Sequence, residues 1–283
     1  MIRCSEAHRS NNMSVWGSGR KVFKCVDLHC GGEPARVLLS GAPYVPGCSM
    51  LEKRKYFMEK LDMIRLLLLT EPRGYPCQNL NILVPPTDPA ADIGYIIAEQ
   101  SAIYPLFSGH NTICVATAIL ETGLVMMKEP ETKMKLEAPG GIIDITAKCS
   151  SGRVLEVAMK AMPSFVGKKD ISLNVPTVGS VKVDIAFGGM WYVIVRAEEV
   201  GLEILPENGK KLASVGERIK VAAKEQCPVC HPTLPYEGPD ILVFIGPPAP
   251  GSSASARNTV VMSNGSLDWD KPDTFTAMLD RSI

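Results

Sequence analysis

The chain has 283 residues, 46% of them apolar and 21% charged, which suits two modest globular domains or one large one and excludes a mainly disordered protein. Thirty basic residues balance thirty acidic ones, so the charge gives no case for a nucleic-acid or anionic-membrane partner and favours a small neutral or zwitterionic ligand. The longest apolar runs, such as Leu66 to Leu69, are too short for a bilayer span; nine cysteines without a secretory signal argue for free thiols in a reducing, cytoplasmic setting.

In chain order, residues 1–20 are expected to form a disordered extension, with Met13 an alternative start. A strand is predicted from Lys21 to Leu28, then a loop at Cys30-Gly-Gly-Glu-Pro34 and a return strand from Ala35 to Leu39. Ser49-Met-Leu-Glu52 is a capping box, and the helix it opens carries Phe57, Leu61, Ile64 and Leu68 on one face before ending ahead of Pro72 and Gly74. The next helix, Thr112 to Glu121, is apolar nearly all round and is expected to be a central helix wrapped by sheet. From Lys133 the pattern turns to strands: Met134 to Leu136, Ile142 to Ala147 and Val154 to Met159, with turns at Gly140-Gly141 and Ser150-Ser-Gly152. Pro163 closes this run, and the polar stretch through Lys168-Lys-Asp170 reads as a boundary between a first domain, 21–162, and a second, 163–283. The second holds strands at Val181 to Ala186, Trp191 to Val195 and Ile241 to Ile245, with a helix from Lys210 to Lys224 between.

The segment Tyr104-Pro-Leu-Phe-Ser-Gly-His-Asn-Thr112 carries the chemistry. It sets the hydroxyl of Ser108 at the mouth of the apolar helix, where the free N–H groups of the first turn, from Gly109 to Thr112 and so including Asn111, can hold a carboxylate. Gly109 lets a ligand approach the backbone, and His110 adds a donor or acceptor. The plain alternative makes Ser108 an N-cap and nothing more. Asp27, His29, Cys30 and Glu33 read as a structural loop around Gly31-Gly32 rather than a metal site. Cys227-Pro-Val-Cys-His231 has the spacing of a haem attachment motif, but neither an export signal nor a second ligand pair accompanies it, so no metal or cofactor is expected.

An ordered series of motifs resembles the proline racemase superfamily: Asp27-Leu-His-Cys-Gly-Gly-Glu-Pro34, Met50-Leu-Glu-Lys-Arg54, Glu71-Pro-Arg-Gly74, Ser108-Gly-His110, Pro139-Gly-Gly141, Gly188-Gly189 with Trp191-Tyr192, His231-Pro232, Gly238-Pro-Asp-Ile241, Ala256-Arg-Asn258, Leu267-Asp-Trp269 and Asp280-Arg-Ser282. The resemblance covers roughly residues 21 to 283. It implies an α+β, diaminopimelate epimerase-like fold of two similar domains, each wrapping a central helix with a catalytic residue at its N-terminus. It makes Ser108 the first catalytic residue, His110 a substrate contact and Asp280 the partner of a substrate ring ammonium. The family motif resembling Asp280-Arg-Ser282 continues into a second catalytic Cys or Thr, which this sequence does not contain, and the second domain is expected to lack its central helix.

The family removes the α-proton of proline-type amino acids without a cofactor. That reaction needs fixed dipoles on the carboxylate and a base at Cα. A serine hydroxyl is a weaker acid than a thiol, so Ser108 is better suited to donate a proton than to remove one. Family members with Ser here resemble hydroxyproline epimerases or dehydratases. Dehydration of trans-3-hydroxy-L-proline is the first expectation, with hydroxyproline 2-epimerase or proline racemase as alternatives and an inactive shortened form as the alternative of another class. The expected partner is a small molecule, proline or hydroxyproline, and the assembly considered is a homodimer.

Overall fold

The computed structural model describes residues 20–262 apart from 161 and 249, together with the strand 267–269. Residues 1–19 of the expected extension, and Asp280, lie outside the described residues.

Two large sheets organise the chain. The first contains β1 (Lys24–Cys30), β2 (Glu33–Ser40), β3 (Asn79–Val84), β4 (Ile93–Ala98), β5 (Glu131–Ala138), β6 (Gly141–Ser150) and β7 (Arg153–Lys160), neighbours in that order. β2 and β3 run parallel, as do β4 and β5; the other neighbours are antiparallel. Each parallel pair needs a crossover, which a helix supplies on one face of the sheet. Between β2 and β3 the crossover is α1 (Met50–Tyr56), a π turn at Phe57–Leu61, and α2 (Asp62–Leu69). The cap is formed in a shifted version of the box: Ser49 Oγ accepts from Glu52 N at 3.2 Å, while the Glu52 carboxylate reaches one residue past the N-cap and accepts from Cys48 N at 2.7 Å. The predicted face, Phe57, Leu61, Ile64 and Leu68, is buried against Leu38, Leu80, Ile82 and Ile96.

Between β4 and β5 the crossover is α3 (Gly109–Glu121), on the opposite face. Its Val115, Ala116, Ile119 and Leu120 pack against Val37, Tyr95, Ile97, Leu136, Ile143 and Ile145, with Cys114 buried as well. This is the wrapped central helix that its apolar circumference predicts. β3 divides the two layers by its period of two: Leu80 and Ile82 face α1–α2, and Asn79 and Asn81 face the α3 side.

The second sheet takes β8 (Phe165–Val175), β9 (Gly179–Phe187), β10 (Trp191–Arg196), β13 (Ile241–Gly246), β14 (Arg257–Val261) and β15 (Leu267–Trp269), with a small ribbon of β11 (Val229–Cys230) and β12 (Glu237–Gly238) between β10 and β13. β10 and β13 are parallel, and their crossover is α4 (Gly209–Gln226). α4 is amphipathic, burying Leu212, Gly216, Ile219, Ala222 and Ala223 in the second core while Lys210, Lys211 and Val221 stay exposed. By topology α4 matches α1–α2 of the first sheet, and a counterpart of α3 is not found among the described residues.

The polar stretch through Lys168-Lys-Asp170 lies inside β8, paired with β9, and two register shifts there leave Lys169 and Asp170 exposed while the ladder continues. β3 and β4, which carry no clean alternation, were not predicted because both are buried on two faces.

Candidate active site

The strand-like segment leading into α3 is held from two sides. Leu106 N donates to Gly189 O at 2.9 Å and Leu106 O accepts from Gly140 N at 2.9 Å, while Phe107 N donates to Gly189 O at 3.3 Å. Gly189 has φ +97°, and a Cβ on it would sit 2.3 Å from Phe107 O, so only glycine permits this approach. The Gly188-Gly189 turn of the second sheet and the Pro139-Gly-Gly141 turn of the first thus fix where Ser108 emerges.

Ser108 is extended, with φ −148° and ψ 127°, and caps α3. Thr112 N (3.0 Å) and Thr112 Oγ1 (2.6 Å) both donate to Ser108 O. Since the Thr112 hydroxyl spends its hydrogen there, the Tyr95 hydroxyl must be the donor in its 2.6 Å contact with Thr112 Oγ1. Burial raises the Tyr95 pKa and keeps that donor protonated. Ser108 Oγ accepts from Asn111 N at 3.4 Å and from Asn111 Nδ2 at 3.1 Å. Asn111 Oδ1 in turn accepts from Asn81 Nδ2 at 2.7 Å. Two N–H donors occupy the acceptor side of the hydroxyl, so its own hydrogen points away from α3. Ser108 and Gly109 are half-buried, whereas Asn111 is fully buried. The Asn111 side chain therefore serves Ser108, and the groups left for an anion are the first-turn N–H groups of Gly109 and His110, which have no helical carbonyl to bond.

His110 is turned away from the Ser108 hydroxyl. Its Nε2 lies 3.0 Å from Glu33 O and its Nδ1 lies 3.3 Å from Glu33 Oε2. The second distance would suit an ion pair, but Nδ1 makes no hydrogen bond and burial pushes the His110 pKa down to about 3, so we assign a neutral ring that donates from Nε2 to the carbonyl. Asn79 Nδ2 donates to Glu33 Oε1 at 3.2 Å. The loop glutamate thereby ties the start of β2 to the first turn of α3, a role beyond the structural loop read from its glycines.

Beyond Gly189 the second sheet presents an aromatic wall. The Phe187 ring lies 4.6 Å from His231, 5.3 Å from Trp191 and 6.1 Å from Tyr236. His231 Nδ1 accepts from Leu234 N at 3.1 Å and Thr233 N at 3.2 Å, so this imidazole ends a turn of its own backbone. Asp240 Oδ2 accepts from Trp191 N at 2.7 Å and from the Tyr236 hydroxyl at 3.1 Å, and Arg54 sits over the Tyr236 ring at 5.1 Å. Arg54, Tyr104, Lys224, Tyr236 and Asp240 line a cavity of about 530 Å³ that does not include Ser108, so this cavity and the candidate chemistry are separate places.

Asn81 and Tyr95 were missed by sequence reasoning, and Glu33 was read only as part of a structural loop. The available signal was Asn79-Leu-Asn81, two amides two residues apart in an otherwise apolar run, which places both on one face of a buried strand.

A family model described as proline racemase matches residues 25–274 of the chain. The chain belongs to the proline racemase family. It is 37% identical over 259 residues to an uncharacterized protein of Bacillus anthracis, across 91% of this chain and 74% of that one. It is also 37% identical over 218 residues to 4-hydroxyproline 2-epimerase 1 of Rhizobium rhizogenes, across 76% of this chain and 63%, less than two thirds, of the epimerase. Among solved structures it resembles a probable proline racemase from Agrobacterium radiobacter K84 with bound carbonate, at TM-score 0.82 and 35% identity, covering 87% of this chain and 72% of that one. A hydroxyproline epimerase from Agrobacterium vitis, with bound trans-4-OH-L-proline, gives TM-score 0.80 and 32% identity with the same two coverages, 87% and 72%. This proline racemase family member has the diaminopimelate epimerase-like α+β fold, with α3 as the helix that its first sheet encloses. No helix among its described residues is long and apolar enough to cross a membrane.

Proposed function

We propose that the chain acts on a proline-type amino acid at the N-terminus of α3, and that the reaction is dehydration of trans-3-hydroxy-L-proline. The substrate carboxylate takes the N–H groups of Gly109 and His110, and the helix dipole favours it there. The Cα–H bond breaks to a base on the ring face that also carries the trans-3-hydroxyl, the face toward Ser108. Its electrons form the Cα–Cβ double bond as the C3–O bond breaks, and Ser108 donates its hydrogen to the departing oxygen. Water and a pyrroline-2-carboxylate result, with no net oxidation. The observation that carries this reading is that Ser108 Oγ accepts two N–H groups and presents its hydrogen outward. A residue so held is a donor at the start of the cycle and a poor base.

A second reading, hydroxyproline 2-epimerase, is favoured by the names of the Rhizobium and Agrobacterium vitis relatives. There Ser108 would deliver a proton to one face of Cα. Proline racemase itself makes the greatest demand on Ser108, which would have to remove the α-proton in one direction. Proton NMR in D₂O with trans-3-hydroxy-L-proline, trans-4-hydroxy-L-proline and L-proline separates the three. We expect loss of the C3 oxygen from the first substrate, slowed about 10²-fold in Ser108→Ala. Formation of the C2 epimer of the second, with the first untouched, would replace dehydration by epimerisation.

A further inference from the structure

Asn81 reaches Ser108 only through Asn111, yet it decides what Ser108 can offer. The carboxamide of Asn111 could present either end to the Ser108 hydroxyl. With Nδ2 toward Ser108, Oγ is an acceptor and its hydrogen is free for a ligand; with Oδ1 toward Ser108, the hydroxyl donates inward and offers a ligand only a lone pair. Asn81 chooses between these, because its Nδ2 donates to Asn111 Oδ1 at 2.7 Å. The reverse arrangement would leave both N–H groups of the Asn81 amide without a described partner. The arrangement found leaves Asn81 Oδ1 and only one of those N–H groups without one, and a buried carbonyl oxygen tolerates that better than a second buried N–H. Asn81 is fully buried in the middle of the first sheet, flanked by β2 and β4, so its amide has no solvent to exchange with.

We propose that Asn81, through Asn111, is a positioning residue that sets the direction of the Ser108 hydroxyl and supplies part of the electrostatic support for negative charge on Oγ. This rests on the reading of Ser108 as the group at the reacting end of α3, although the test below does not depend on which substrate is turned over.

The experiment uses the full chain with Ser108→Cys, which reports the same two N–H donors through thiolate stability. Ser108 is half-buried, so iodoacetamide can reach a thiol there, and peptide mass spectrometry separates that site from the other cysteines. The alkylation rate is followed against pH in Ser108→Cys alone and combined with Asn111→Ala, Asn81→Leu, or both. Asn111→Ala should raise the apparent thiol pKa by about one unit, as expected for loss of a hydrogen bond to the charged form. Asn81→Leu should produce a comparable rise, and the two together should do no more than Asn111→Ala by itself, since both act through one amide. In the Ser108 background, Asn81→Leu should lower kcat roughly five- to tenfold with KM little changed. An unchanged alkylation profile in Asn81→Leu, or fully additive shifts, overturns the proposal. If Asn81→Leu does not fold, Asn81→Ala carries the same comparison. Absence of turnover on every proline analogue would remove the reaction proposed above and leave the alkylation result standing.

Discussion

At the scale of single residues, the serine at the tip of α3 changes what that position can do. A thiol there could lose its proton near neutral pH, whereas a hydroxyl cannot without a base beside it, and the imidazole of His110, two residues on, is engaged with Glu33. Ser108→Ala should therefore lower turnover by about 10²-fold, the usual scale for one proton-transfer group. Loss of the cap should cost only about 1 kcal/mol, so kcat and a thermal melt measured together separate the two effects. His110 makes a pH prediction. The unfolded chain binds a proton at this ring below about pH 6.5, and the folded chain stays neutral down to about 3. The unfolded state thus holds more protons in that window, and stability is lost as pH falls through it, by about 2 kcal/mol at pH 5. His110→Gln should flatten that slope in urea titrations at pH 7.5 and pH 5; an unchanged slope would mean that the ring is charged by Glu33 after all.

At the scale of elements, α3 and α4 are both long helices, but they are buried to different degrees. α3 is enclosed by the first sheet and α4 rests one face on the second. Ile119, fully buried in α3, should cost about 3 kcal/mol when changed to Ala, since the rigid sheet around it cannot collapse into the space. Val221 of α4 is 48% exposed, and Val221→Ala should move stability by no more than about 0.5 kcal/mol. Parallel denaturant titrations check the pair. The turn at Gly189 is the element contact with the most direct bearing on the site. Gly189→Ala forces both a positive φ on alanine and a methyl into Phe107 O, which should cost about 3 kcal/mol and displace Ser108. Retained activity and melting temperature in that variant would show that Ser108 is positioned from its own sheet alone.

At the scale of the whole molecule, the two sheets meet along a seam that carries buried charge. Glu99, at the end of β4, is 3% exposed with Oε2 unpartnered, and burial together with the nearby Asp240 raises its pKa to about 8. Asp240, across the seam, is raised by burial to about 6, although Trp191 N, the Tyr236 hydroxyl, Lys224 and Arg54 all favour its charged form. For both carboxyls the folded chain holds more protons than the unfolded one, so this part of the stability is present at low pH and lost as pH rises toward those values. The sign is opposite to that of His110. Glu99→Gln should change stability by less than about 1 kcal/mol at pH 5 and raise the melting temperature by roughly 10 °C at pH 8, where keeping the wild-type carboxyl neutral or burying its charge costs about 4 kcal/mol. A lower melting temperature at pH 8 would mean that the Glu99 carboxylate has a cationic partner in the folded protein.

The capping box, the amphipathic face of α1–α2, the all-round apolar character of α3 and the placement of Ser108 at its tip were legible in the sequence because each depends on residues within a few turns of one another. The ordered motifs carried the family for the same reason. What α3 would face was not legible, since β3 and β4 reach it from elsewhere in the chain and their two-sided burial erases the alternation that marks a strand. Asn81 became a partner of Asn111 only when β3 was seated beside α3, and Glu33 a partner of His110 only when β2 was. His110 was read locally as a ligand contact, and packing turned both of its nitrogens toward Glu33. Sequence determined which helix would present a hydroxyl. The tertiary structure decided which way that hydroxyl points, because a side-chain hydrogen follows its nearest donors and acceptors, and here one of the two donors is itself oriented by an amide 30 residues upstream.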